Sequence, residues 1–179
     1  MSLSLSKSIE LRLAEAVGLL QDLIAYQSTA GNEGPVVEFL ADYLTKAGFP
    51  VERCPIAEEI VSDPEYTSVP GHRDYQGRPN LVIHTGQGAG RSVIVNTHCD
   101  VVPGKPELFE PRVEGDVIFG RGACDAKGQI VTGILALLAL RDAGVELGGE
   151  ALFEIVIEEE IGGNGSLAII TTNAKAFSL

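Results

Sequence analysis

Residues 151 to 157 read Ala-Leu-Phe-Glu-Ile-Val-Ile, and Glu158, Glu159, Glu160, Ile161, Gly162 and Gly163 follow directly. A run this rich in apolar, β-branched and aromatic residues predicts an interior strand covered on both faces. Such a strand needs partners beside it and helices over it, so it constrains the rest of the chain. Three carboxylates in a row usually form a solvated face. At the end of an interior strand, however, charge is costly unless it is paired or bound to a metal. Neighbouring residues of a regular strand point to opposite faces. For Glu159 and Glu160 to work together, the backbone must leave strand geometry, and Gly162-Gly163 makes that turn easy.

The remaining pattern supplies what the strand requires. Ile9, Leu13, Ala16, Val17, Leu20, Leu23 and Ile24 recur at helical spacing and predict an amphipathic helix from about Ser8 to Tyr26. Gly31 to Gly34 breaks it, and Pro35, a good first-turn residue, opens a second helix that ends near Gly48. Phe49 to Ile56 reads as a short strand, and the polar stretch from Glu58 to Arg78 as a loop or lid outside the core. Strands are expected at Leu81 to His84, Ser92 to Thr97 and Val113 to Phe119, and a helix at Ala126 to Ala143, closed by Gly144. Strands alternating with helices give an α/β layered fold, with strand directions left open. At 179 residues the chain suits one domain with a real core.

Charge and cysteine content narrow the function. A formal net charge of -12 repels nucleic-acid backbones and anionic membranes, so neither is an expected partner, while it suits a chain that gathers divalent cations. Cys54, Cys99 and Cys124 are odd in number and lack CxxC spacing, which speaks against a disulfide framework or a Cys-rich zinc knot. Nothing at the N-terminus has the basic start and long apolar core of a signal peptide. The run from Ile130 to Leu140 is too short to span a bilayer. The expected compartment is the cytoplasm.

Two further segments carry chemistry. In Asn96-Thr97-His98-Cys99-Asp100, His98 falls where an apolar strand runs out, the place where ligands gather in open α/β sheets. A lone histidine is more often structural than ligating, but Asp100, two residues on, can accept its second ring N–H and fix the tautomer. In Gly120-Arg121-Gly122-Ala123-Cys124-Asp125-Ala126-Lys127-Gly128, Asp125 precedes a helix, so an isolated reading makes it a helix cap. Neither a phosphate-binding loop nor the third glycine of a dinucleotide turn is present. Lys127 and Arg121 read as structural.

Taken in order, these three segments resemble the M20 metallopeptidase family, which includes acetylornithine deacetylases, succinyl-diaminopimelate desuccinylases, aminoacylases and glutamate-type carboxypeptidases. The likeness runs from about Asn80 to Ser166. It implies a zinc-dependent exopeptidase-like fold, a three-layer α/β/α arrangement around a central mixed sheet. It implies that His98 binds one zinc, that Asp125 bridges two metals, and that Glu160 binds the second, with cobalt as an alternative metal. Asp100 would be the carboxylate partner of His98, and Glu159 the general base that takes a proton from the attacking water. The implied reaction is amide hydrolysis of N-acyl amino acids or small peptides, of the acetylornithine deacetylase or succinyl-diaminopimelate desuccinylase type, by a homodimer in the full-length protein.

The family pattern is incomplete here. Its members need a further acidic ligand after the Glu-Glu pair and a histidine near the far C-terminus, yet Ile161 to Leu179 contains no Asp, Glu, His or Cys. His72 and His84 both lie upstream and in no matching context. The expectation is that residues 1–179 form the N-terminal portion of the catalytic domain. The dimerisation domain and the C-terminal remainder would be absent, and the piece alone inactive. A relative that kept the scaffold as a metal-binding or interaction module is the rival reading. Retention of both Glu159 and Glu160 argues against it, because a pure binder has no need of the base.

Overall fold

A computed structural model describes residues 3–68, 74–87 and 89–177. Helices α1 (Leu5–Ala25) and α2 (Gly34–Lys46) precede strand β1 (Val51–Cys54). Strands β2 (Asn80–Thr85) and β3 (Val93–His98) follow, then a hairpin of β4 (Arg112–Glu114) and β5 (Val117–Phe119). Helix α3 (Lys127–Asp142), strand β6 (Ala151–Val156) and helix α4 (Asn164–Phe177) complete the order. The main sheet runs β1-β2-β6-β3. β2 is antiparallel to β1 and β6, whereas β3 is parallel to β6. The sheet is therefore mixed, and the apolar run at residue 151 sits inside it as expected.

Strand alternation builds the layers. Leu81 and Ile83 of β2 and Phe153 and Ile155 of β6 face the main core, where Leu23 of α1, Leu40 and Leu44 of α2, and Ile130 and Ile134 of α3 pack on them. Val82 and Val156 face the other way and meet Ile169 of α4. Helices thus cover both faces, the α/β/α arrangement expected from the sequence. α1 is tied to the end of α3 by Ser8 Oγ, which donates to Asp142 at 2.8 Å, and by Arg12, whose Nε reaches the same carboxylate at 2.6 Å. Gly133 lets α3 lie close on the sheet, because a Cβ there would stand 2.5 Å from the Phe153 ring. Among the described residues no helix is long and apolar enough to cross a membrane.

Several expectations change. Ser92 to Thr97 reads like an interior strand, but β3 has no partner on its outer side among the described residues, and Val93, Ile94 and Val95 are all exposed. An apolar β-branched run has the same sequence whether or not a neighbour lies beside it. Val113 to Phe119 is two short strands in a separate hairpin, turned by Gly115 (φ 60°) and Asp116, rather than one strand. The segment from Glu58 to Arg78 contributes to the core through buried Tyr75 and Arg78, and a short 3-10 turn spans Glu58–Ser62. His72 lies outside the described residues. α4 has no counterpart in the sequence reading, because Ile169-Ile170-Thr171-Thr172 favours strand over helix by propensity.

Candidate metal centre

The parallel pairing of β3 with β6 sets His98 opposite Val156, so both strands deliver their C-terminal residues to one end of the sheet. His98 is the last residue of β3 and is only 6% exposed. Its Nδ1 lies 3.0 Å from the main-chain oxygen of Asp100, and its Nε2 lies 3.0 Å from Asp125 Oδ1 and 3.6 Å from Glu159 Oε2. With Nδ1–H donated to the Asp100 carbonyl, Nε2 is the nitrogen turned toward the carboxylates and the one that would face a bound cation.

Asp100 faces His98 through both its main chain and its carboxylate. The acceptor nearest the histidine is its main-chain carbonyl, and its carboxylate stands 3.4 Å from Nδ1. That carboxylate also accepts the backbone N–H groups of Glu159 (3.1 Å) and Glu160 (3.0 Å). It thereby joins the His98 segment to the carboxylate turn.

Asp125 is not a helix cap. The residue flanking α3 is Ala126, and no side chain caps that end. The Asp125 side chain is 74% exposed and reaches His98 across the turn. The Asp125–Ala126 peptide is cis. Gly122 (φ 83°) allows the turn to close on Lys127, since a Cβ there would meet the lysine stem and Val101 at 2.9 Å.

The strand β6 continues into a turn at Glu158, whose φ of 55° takes the chain out of extended geometry, and Gly162 (φ 122°) and Gly163 (φ 75°) complete it. Glu160 is thereby brought to His98 and Asp125. One ligand atom from each of His98, Asp125 and Glu160 lies within 4.8 Å of the other two. An imidazole nitrogen and two carboxylate oxygens form a donor set suited to a divalent metal ion. The electrostatics fit a cation as well. Burial and the neighbouring Asp125 charge raise the Glu160 carboxyl above its ordinary range. Burial alone would lower the His98 pKa, but Asp100, Asp125 and Glu159 push it up to about 9.

Other residues reveal their roles only in three dimensions. Lys127 is fully buried, and its Nζ donates to the Leu23 and Tyr26 carbonyls at 2.8 and 2.6 Å, closing the C-terminal end of α1 with a cation. Burial lowers its pKa to about 8. Cys99 is buried and Cys124 exposed, and neither belongs to the ligand group. Glu158 is 1% exposed, and Arg78 binds it and Glu33 through the same Nη1 at 3.0 and 2.8 Å. The sequence singles out neither Glu33 nor Arg78. For Glu158 the one available signal was its position directly after the apolar strand.

Comparison with known proteins gives concordant findings. The sequence profile of peptidase family M20/M25/M40 matches residues 94–178. An N-formyl-4-amino-5-aminomethyl-2-methylpyrimidine deformylase of Bacillus subtilis is 30% identical over 176 residues, 92% of this chain and 37% of the relative. A succinyl-diaminopimelate desuccinylase of Methylobacterium radiotolerans is 34% identical over 151 residues, 81% of this chain and 35% of the relative. In fold, the dipeptidase Dug1p of Saccharomyces cerevisiae superposes with a TM-score of 0.76 at 19% identity, over 97% of this chain and 39% of that one. The chain thus spans little more than a third of the length of these relatives.

Proposed function

From the premise that this chain belongs to peptidase family M20/M25/M40, we propose that it carries part of the metal centre of a hydrolase that cleaves amide bonds. The observation behind this reading is the convergence of His98, Asp125 and Glu160, from three separate segments, with Glu159 beside them. The deformylase and the desuccinylase are both named for removing an acyl group, and the desuccinylase's acyl amino acid supports N-acyl amino acids or small peptides as substrates. The names leave the acetylornithine deacetylase type open beside the desuccinylase type.

In this reading His98, Asp125 and Glu160 would hold zinc or cobalt, with Asp125 as the ligand shared by two ions and further ligands coming from residues beyond these 179. The chemistry a divalent cation would supply when bound there is polarisation of the amide carbonyl and acidification of water. The protein's own groups supply the rest. His98 presents Nε2 because its Nδ1–H is committed to the Asp100 carbonyl. Glu159, half-exposed and next to the ligands, accepts a proton on its carboxylate and returns it to the leaving nitrogen. The Asp100 carboxylate holds the amides of Glu159 and Glu160 and so fixes where both side chains start.

Replacing Glu159 with Gln in the full-length protein tests the assignment. Turnover of an N-acyl amino acid is expected to fall by about 10²–10⁴-fold while the metal content stays unchanged. Turnover equal to the parent would remove Glu159 from the chemistry, and loss of metal would make it a ligand instead.

A further inference from the structure

The turn that carries Glu159 and Glu160 rests on a buried polar unit. We infer that Glu158, held by Arg78, Tyr75 and Asn164, is a positioning residue that aims the two following carboxylates; this rests on the metal-centre reading above. The first observation is the backbone. Glu158 is the one non-glycine residue with positive φ among the described residues, and an L-residue holds that conformation only when its surroundings impose it. An extended Glu158 would send the next two side chains to opposite faces. With φ at 55°, both reach His98: Glu160 through the ligand group, Glu159 at 3.6 Å from Nε2.

The second observation is what imposes it. The Glu158 carboxylate accepts from Tyr75 Oη at 2.9 Å, Asn164 Nδ2 at 3.1 Å and Arg78 Nη1 at 3.0 Å. Arg78 is itself fixed by Glu33 at 2.8 Å and by the Asp74 carbonyl, 3.0 Å from Nη2. The two ends of the turn are also clamped. Asn80 Oδ1 accepts the Ile157 N–H at 3.1 Å, and Asn80 Nδ2 donates to the Gly165 carbonyl at 2.8 Å. Pinned at both ends and by the Glu158 side chain, the turn has little freedom to move Glu159 and Glu160 away from His98. Buried groups behind metal ligands commonly carry this role.

Cobalt(II) titration of the full-length protein, followed by visible absorption, tests the inference, because that spectrum reports ligand geometry and not mere foldedness. Three proteins are compared: the parent, Glu158→Gln and Tyr75→Phe, with folding checked by circular dichroism. Glu158→Gln puts an amide where three donors converge, and it is expected to bind cobalt about 10–100-fold more weakly with a changed spectrum. Tyr75→Phe removes one donor and should give a smaller change in the same direction. A folded Glu158→Gln protein with the parent's affinity and spectrum would overturn the positioning role. If that variant does not fold, Tyr75→Phe decides, and parent-like cobalt binding there overturns it. A parent chain that binds no cobalt removes the metal-centre reading and this inference with it, a failure visible before any variant is compared.

Discussion

Glu158, Glu159 and Glu160 are the same residue type three times over, and the fold gives each a different environment. Glu158 is buried on Arg78, Glu159 is half-exposed beside His98, and Glu160 stands among the ligand atoms. The sequence separated the last two by motif but could not separate out the first, because two of its partners, Tyr75 and Arg78, are 80 or more residues away. Glu33 shows the consequence of one guanidinium serving two carboxylates. It is fully buried, its Oε1 has no partner among the described residues, and burial outweighs Arg78 to push its pKa from 4.5 to about 7. A carboxyl raised in the folded state holds a proton that the unfolded chain has released. Its stabilising contribution is therefore complete below about pH 4.5 and is lost as pH rises through about 7. Urea unfolding of the parent and Glu33→Gln between pH 5 and 8 should show the parent losing more stability with rising pH than the variant. The difference should be up to about 3 kcal/mol at 1.36 kcal/mol per pKa unit. Parallel pH curves would contradict a protonated Glu33.

Elements were legible where local pattern and burial agree. β6 announces itself through its apolar run, and α1 and α2 through helical spacing and the Gly31 to Gly34 break. What escaped was set by neighbours. β3 has an interior strand's composition at an edge position, and α4 is helical despite its β-branched residues because Ile169 packs on Val82 and Val156. Gly133 belongs with these. Within a helix a glycine normally weakens the element, so substitution should help by propensity. Here the Phe153 ring occupies the space a side chain would need. Gly133→Val is accordingly expected to destabilise by about 1–3 kcal/mol through overpacking, read from its urea midpoint. An unchanged or raised midpoint would show that α3 can move off the sheet at no cost.

For the molecule as a whole, the connection of site to fold comes from topology. Parallel β3 and β6 end together, so a histidine from one and a carboxylate turn from the other meet at one edge, and Asp125 enters from the turn before α3. The order of the motifs could be read from the sequence. Their meeting point could not, since the direction of β3 relative to β6 was left open. The acidic balance, with a net charge of -12, suits cation capture without specifying it. The most direct measurement is a calorimetric zinc titration of the full-length protein beside its Asp125→Ala variant, with bound metal counted afterwards. The expected result is zinc uptake by the parent that is lost or greatly weakened in the variant, because Asp125 is the most exposed of the three ligands and its removal should spare the fold. Equal uptake by both proteins, or none by the parent, would contradict a metal centre at His98, Asp125 and Glu160.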